Sequence, residues 1–227
     1  MSNNWRYERK FIVNNLTFEQ VEDIVLENTF IFSEIFNSRQ INNIYFDDVH
    51  YSAYHQNIEG LSERKKYRLR WYGNIFGEVR NPILEAKIKN SSLGTKRRFE
   101  IINFEMAQAF DSNIFKDIFQ KSNLQDDVYN EISNKSPALV NSYERKYYLS
   151  KNKLFRITID KNLSYFYVSP NVNEILTRNN QNGIIVEIKY DQSNENLLNK
   201  ISNQFPFRLS RSSKYVQGFS SIYDIIY

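Results

Sequence analysis

Lys66-Tyr67-Arg68-Leu69-Arg70-Trp71 decides how the chain is read. Side chains at i, i+2 and i+4 of a strand share a face. Lys66, Arg68 and Arg70 therefore point one way, and Tyr67, Leu69 and Trp71 the other. The same alternation recurs on both sides of this stretch. Arg6, Glu8 and Lys10 oppose Trp5, Tyr7 and Phe11; Glu85, Lys87 and Lys89 oppose Leu84, Ala86 and Ile88. Lys96, Arg98 and Glu100 oppose Arg97, Phe99 and Ile101, and Arg156, Thr158 and Asp160 oppose Phe155, Ile157 and Ile159. Glu187 and Lys189 oppose Val186, Ile188 and Tyr190. Period two predicts strands over residues 5–13, 39–46, 65–72, 83–89, 95–104, 142–150, 153–160 and 184–190, with 165–168 as a further short one.

Helical spacing is rarer. Thr17-Phe18-Glu19-Gln20 reads as a capping box that opens a helix through Val21, Ile24 and Val25. Residues 104–119 carry one or two helices, and 172–178 and 194–204 are further candidates. Many strands with few helices predict an α+β fold, a large antiparallel sheet or barrel with helices outside it. No repeat or linker interrupts the 227 residues, so 1–227 reads as one domain.

Composition excludes several chemistries. There is no cysteine, which removes disulfides, thiolate metal sites and thiol nucleophiles. Two histidines, His50 and His55, are too few for a multi-histidine metal site. Neither a P-loop nor a dinucleotide fingerprint is present among the six glycines. No apolar run approaches the ~20 residues that span a bilayer, and the N-terminus lacks the apolar stretch of a signal peptide, so a cytoplasmic location is expected. A net charge of +4 permits an anionic partner without naming one.

Alternation alone leaves two accounts of the charged faces. In one they meet water, as on any half-buried sheet. In the other they are enclosed. Two details favour enclosure: the faces are dense in charge with little Thr, Ser or Gln, and the acids are sparse, at Glu8, Glu85, Glu100, Asp160 and Glu187. Enclosed unpaired cations repel and are costly to desolvate, so they call for a polyanion. Phosphate chains suit Arg forks and Lys point charges. The few carboxylates would then hold a hard divalent cation through oxygen.

Nine segments in order resemble one family, the VTC domain of vacuolar transporter chaperone polyphosphate polymerases, in the triphosphate tunnel metalloenzyme superfamily. They are Arg6-Tyr7-Glu8-Arg9-Lys10, Ile44-Tyr45-Phe46-Asp47, Tyr67-Arg68-Leu69-Arg70, Glu85-Ala86-Lys87, Lys96-Arg97-Arg98-Phe99, Tyr143-Glu144-Arg145, Arg156-Ile157-Thr158-Ile159-Asp160, Val186-Glu187-Ile188-Lys189 and Ser213-Lys214-Tyr215-Val216-Gln217-Gly218. The resemblance implies an eight-stranded antiparallel barrel, a tunnel that binds ATP, triphosphate or polyphosphate with Mn²⁺ or Mg²⁺. It assigns phosphate contacts to Lys10, Arg68, Arg70, Lys87, Lys96, Arg145 and Lys214, with Arg211 standing where the polymerases have a lysine. Arg68, Arg70, Lys87, Arg145 and Lys214 would serve the reaction itself, and Lys189, beside Glu187, joins the phosphate set. Glu187 is the implied metal carboxylate and Glu8 a second one. Arg6 stands where the wider superfamily's ExExK strand has its first Glu, which argues against the thiamine-triphosphatase and adenylate-cyclase branch. Neither an SPX domain nor a membrane segment fits in the chain, so a free-standing domain is expected, with a separately encoded membrane partner as an option.

The implied reaction is transfer of the terminal phosphate of ATP to a polyphosphate chain. Water as acceptor would make a triphosphatase, and an intact site without turnover a binding module. Nucleic acid is not expected, because the aromatics lie on the face opposite the bases, whereas stacking needs both on one surface. Lys89 and Arg98 stay open between solvent and tunnel, and Asp160 between capping or pairing with a base and binding metal. Ser213 reads as a phosphate or loop hydrogen-bond donor, His50 and His55 as residues of a surface helix within 48–57, and Arg9 and Glu144 as outside the lumen.

Overall fold

Alternation becomes a set of antiparallel ladders in the computed structural model, which describes residues 7–91, 93–109, 113–169 and 174–226. Trp5 and Arg6 of the first expected strand, residues 110–112 and residues 172–173 lie outside these. The strands are β1 (Tyr7–Val13), β2 (Phe32–Asp47), β3 (Glu63–Tyr72), β4 (Gly77–Val79), β5 (Ile83–Asn90), β6 (Leu93–Glu100), β7 (Phe104–Met106), β8 (Ser136–Ser150), β9 (Phe155–Ser169), β10 (Glu174–Gln181) and β11 (Ile184–Tyr190). The helices are α1 (Phe18–Leu26), α2 (Ser52–Ile58), α3 (Ile114–Lys121), α4 (Asp126–Ser133), α5 (Glu195–Ser202) and α6 (Lys214–Ile226). None of the described helices is long and apolar enough to cross a membrane.

Several elements differ from expectation: residues 104–106 of the expected helical stretch 104–119 form β7, paired with β4, and α4 and α6 were not expected. The helix expected over 172–178 is a strand, β10, paired with β9. Over so short a run periodicity does not separate helix from strand, and the open edge of β9 decides it by supplying backbone partners. Closure into an eight-stranded barrel is also not what is found. The main sheet runs β1-β11-β9-β8-β2-β3-β5-β6 as an open path with β10 beside β9, and β4 and β7 form a separate pair. A barrel needs its first and last strands hydrogen-bonded. Among the described residues β1 pairs with β11 and β6 with β5, and the two ends do not pair with each other. The α+β, largely antiparallel architecture stands; the closed eight-strand count does not.

The chain divides into two compact units, the first comprising Met1–Arg39, Tyr143–Leu163 and Gln181–Ser212, the second Gln40–Ser142, Ser164–Asn180 and Ser213–Tyr227. In the first unit the apolar strand residues Phe11, Ile157, Ile159, Val186 and Ile188 are buried under Val21 and Val25 of α1 and Leu198 and Ile201 of α5. The capping box is present: Gln20 N donates to Thr17 Oγ1 (3.3 Å) and Thr17 N to Gln20 Oε1 (2.9 Å), worth about 1 kcal/mol to the helix start.

In the second unit Tyr67, Leu69, Trp71, Leu84 and Ala86 face Phe115, Ile118 and Phe119 of α3 and Val128 and Ile132 of α4. Each fully buried side chain of this kind contributes about 1.5–3 kcal/mol. The opposite face of that sheet is covered too. Tyr215 of α6 stacks on Tyr45 (centroids 5.1 Å apart) and donates its hydroxyl to buried Asp47 (2.7 Å). Gly218 lets α6 come close: a Cβ there would lie 2.2 Å from Tyr165 Cδ1 and 2.7 Å from Leu139 Cδ2. Helices thus lie on both faces of this sheet, not only outside its apolar face. The sign was in the sequence, since Tyr215, Gly218, Phe219 and Ile222 follow i, i+3, i+4, i+7 spacing.

Candidate functional site

The second unit gathers cations by strand register. Lys66 on β3 lies opposite Lys87 on β5, and Lys87 opposite Lys96 on β6. One step along, Arg68 lies opposite Glu85, and Glu85 opposite Arg98. Like charges placed directly across a sheet are destabilising, so a lysine row over three adjacent strands asks for an anion. Glu85 serves the neighbouring row. Its carboxylate, 2% exposed, takes Arg68 at 2.7 Å, Lys96 at 3.1 Å, Arg98 at 3.4 Å and Arg70 at 3.6 Å. Burial alone would raise its pKa, but the charges of Arg68, Arg70 and Lys96 outweigh that and hold it well below the usual carboxylate range.

Lys96 responds in the opposite sense. Although 40% of its side chain reaches solvent, its ammonium shares Glu85 with three guanidinium groups. Burial and the like charges of Arg98, Arg68 and Arg70 push its pKa down to about 8, against the pull of Glu85. Its charge is lost as pH rises through that value, and a bound phosphate would restore it. Lys66 Nζ donates to Ser213 Oγ (3.0 Å), and half-buried Lys214 follows at the start of α6. Arg70, 9% exposed, also donates its Nε to Asn43 Oδ1 (3.1 Å).

The first unit is nearer to charge balance. Across the β1–β11 ladder Glu8 lies opposite Lys189, and Lys10 opposite Glu187. Glu187, 5% exposed, has Lys189 at 3.4 Å and Lys10 and Arg145 at 4.0 Å. Lys10 Nζ lies 3.9 Å from Glu8 and donates to Ser212 O (3.1 Å). Arg145 grips Asp160 in a bidentate pair, Nε to Oδ1 at 2.5 Å and Nη2 to Oδ2 at 2.7 Å. Both are buried, at 7% and 0% exposure. Asp160 therefore pairs with a base. Burial alone would lower the Arg145 pKa, but the Asp160 charge outweighs it and holds the guanidinium firmly ionised. Arg211 is exposed and has no ion-pair partner among the described residues.

Glu8 and Glu187 are carboxylates that could hold a divalent ion. Diagonal neighbours on β1 and β11, they offer the hard carboxylate oxygens that Mn²⁺ or Mg²⁺ takes. Thr158 faces Glu187 across the β11–β9 ladder, and its buried Oγ1 has no hydrogen-bond partner among the described residues. This donor set fits a hard cation whose remaining positions come from phosphate oxygens or water. No group of three or more His, Cys, Asp or Glu converges among the described residues.

Residues outside these clusters separate cleanly. Arg9, on the other face of β1, pairs with Glu195 (3.2 Å), and Glu144 with Ser38 (2.6 Å) and Lys161 (3.6 Å). His55 lies within α2 and His50 just before it. Arg98, with its side chain 61% exposed, still reaches Glu85, and Lys89 is half-buried. Sequence reasoning missed the organising part of Glu85, the place of Lys66 in the lysine row, and Asn43. For Glu85 and Lys66 the signal was their alternation with Lys87 and Arg68. For Asn43 there was none, since Asn is frequent throughout the chain.

A family model described as the VTC domain matches residues 5–223. No curated protein is significantly similar in sequence. Among solved structures, a proposed adenylyl cyclase from Hippeastrum, reported to have a dominant triphosphatase activity, superposes with a TM-score of 0.54 at 12% identity, covering 96% of this chain and 95% of that one. A proposed adenylate cyclase from Vibrio parahaemolyticus gives 0.50 at 13% identity, covering 95% and 99%. Identities this low speak for the fold alone.

Proposed function

The chain belongs to the VTC domain family, and from that premise we propose that it transfers the terminal phosphate of ATP to a polyphosphate chain. The observation that carries this reading is the in-register row Lys66, Lys87, Lys96 beside Arg68 and Arg70. Lys96, Arg68 and Arg70 share Glu85, and a chain of phosphates repeats its charge along its length as the lysine row does. The family match over 5–223 supports treating 1–227 as one VTC-type functional domain.

In the second unit Arg68, Arg70, Lys87, Lys96 and Lys214 hold phosphate oxygens, the guanidinium groups by forked bonds and the lysines as point charges. In the first, Lys10, Arg145, Lys189 and Arg211 are the phosphate contacts. Glu187, with Glu8, would hold Mn²⁺ or Mg²⁺, and the ion would supply neutralisation of the charge on the transferring group. Phosphoryl transfer needs in-line positioning and charge stabilisation more than a strong base. Fixed cations aimed at the phosphates provide that without reorganising. Lys96 gains charge from binding, because a phosphate beside it would raise its depressed pKa.

The triphosphatase activity reported for the Hippeastrum protein makes water the alternative acceptor, and a site that binds without turnover is the remaining alternative. ATP as donor fits a cytoplasmic location, with a separately encoded membrane partner as the route for any export of product. Purified protein with ATP and Mn²⁺, its products resolved on a gel stained for polyphosphate, is expected to give long chains. Orthophosphate alone would make it a hydrolase. No turnover, with thermal protection by tripolyphosphate, would make it a binding module.

A further inference from the structure

A hydrogen-bond chain in the second unit ends on a buried donor that meets no acceptor. Arg70 Nε donates to Asn43 Oδ1 (3.1 Å), and Asn43 Nδ2 donates to Asn141 Oδ1 (2.8 Å). A guanidinium has donors only, and this fixes the direction of the whole chain. Asn43 must turn its oxygen to Arg70, so its NH2 faces Asn141, and Asn141 must turn its oxygen back. The Asn141 NH2 is the terminus. Asn141 is 1% exposed, and among the described residues no atom accepts from its Nδ2.

Next to it, a second amide chain is closed. Gln40 Nε2 donates to Ser142 Oγ (2.6 Å), Ser142 Oγ to Asn42 Oδ1 (2.6 Å), and Asn42 Nδ2 to the carbonyls of Gly73 (2.9 Å) and Asn74 (3.2 Å). The open end at Asn141 is thus specific to the strand face that carries Arg70. A buried donor left unused costs about 1–3 kcal/mol, and an acceptor-only ligand would recover it. Arg70, which anchors the chain, lies against the same carboxylate as Arg68 and Lys96.

We propose that Asn141, oriented by Asn43, donates its side-chain amide to a non-bridging phosphate oxygen of the triphosphate or polyphosphate. This deepens the functional reading above and rests on it. The lysines and arginines attract any anion, whereas the amide is neutral and directional. It fixes where along the chain one phosphate oxygen stops, extending the face that carries Arg70 through Asn43 of β2 onto β8 without adding charge.

The test is tripolyphosphate affinity by calorimetry in the full chain. Asn141→Leu is expected to weaken it about tenfold, the worth of one hydrogen bond to a charged group. The thermal midpoint without ligand should stay within about 3 °C, because one orphaned donor is exchanged for another, on Asn43. Asn141→Asp keeps the acceptor that Asn43 needs and places an oxygen where the NH2 was. It is expected to weaken binding by about 10²-fold, and it decides the matter should the leucine variant not fold. In the unaltered protein, tripolyphosphate should move the Asn141 side-chain amide resonances. Wild-type affinity in both variants, with Arg68→Ala weakened, overturns the role of Asn141 and leaves the functional reading in place. No binding by the unaltered protein removes both.

Discussion

Replacing Arg68 and Arg70 together by alanine will lower tripolyphosphate affinity by about 10²-fold or more, since charge-assisted hydrogen bonds contribute about 1.5–3 kcal/mol each. Calorimetric titration measures it directly. The double variant also strips Glu85, 2% exposed, of two of its partners, and breaking a buried pair costs about 3–5 kcal/mol. Adding Glu85→Gln separates the two effects. The triple variant should regain thermal stability and still bind tripolyphosphate poorly. Its stability should also respond less to acid. Glu85 titrates below its ordinary value of 4.5 in the folded chain, so its contribution is full above that value and lost as pH falls through the folded one. Undiminished affinity in the triple variant would take Arg68 and Arg70 out of the site.

Glu187→Gln is the second change of large effect. It is expected to lower kcat for ATP consumption by about 10²–10³-fold, while binding of tripolyphosphate without metal is kept or tightened. The reason is local. Lys189, Lys10 and Arg145 lie within 3.4–4.0 Å of the Glu187 carboxylate, and neutralising it leaves those cations freer to meet phosphate. Steady-state turnover and metal-free titration on the same preparation separate chemistry from binding. Unchanged kcat would remove Glu187 from any metal role.

Much of the fold could be read from side-chain alternation, because its cause is local: a strand with one apolar face must bury that face. The faces read for Lys66–Trp71 and for Glu187 and Lys189 are those observed, with Tyr67, Leu69, Trp71, Val186 and Ile188 in the cores. What escaped the sequence depends on partners distant in the chain. Residues 174–181 became a strand because β9 offered an edge, a fact outside the segment itself. The ladder path from β1 to β6 is likewise set by pairings that no single strand announces.

The site divides in the same way. Arg68, Arg70, Lys87 and Lys96 could be read from alternation, yet their assembly depends on register. A one-residue slip would send each to the other face, and it is Lys66↔Lys87↔Lys96 pairing that makes a row of them. Asp160 looked equally suited to metal or base until Arg145 closed on it from fifteen residues away. Arg211 was read with the phosphate set and lies exposed without an ion pair among the described residues. Asn43 and Asn141 carried no mark at all, because what distinguishes them is the direction of two hydrogen bonds.

Crystals grown with tripolyphosphate offer the most direct look at the lysine row. Phosphate oxygens are expected within hydrogen-bond distance of Lys66, Lys87 and Lys96, with Arg68 and Arg70 turned toward them from Glu85. Clear density for the ligand elsewhere, with that strand face unoccupied and all its guanidinium groups still on Glu85, would contradict the account.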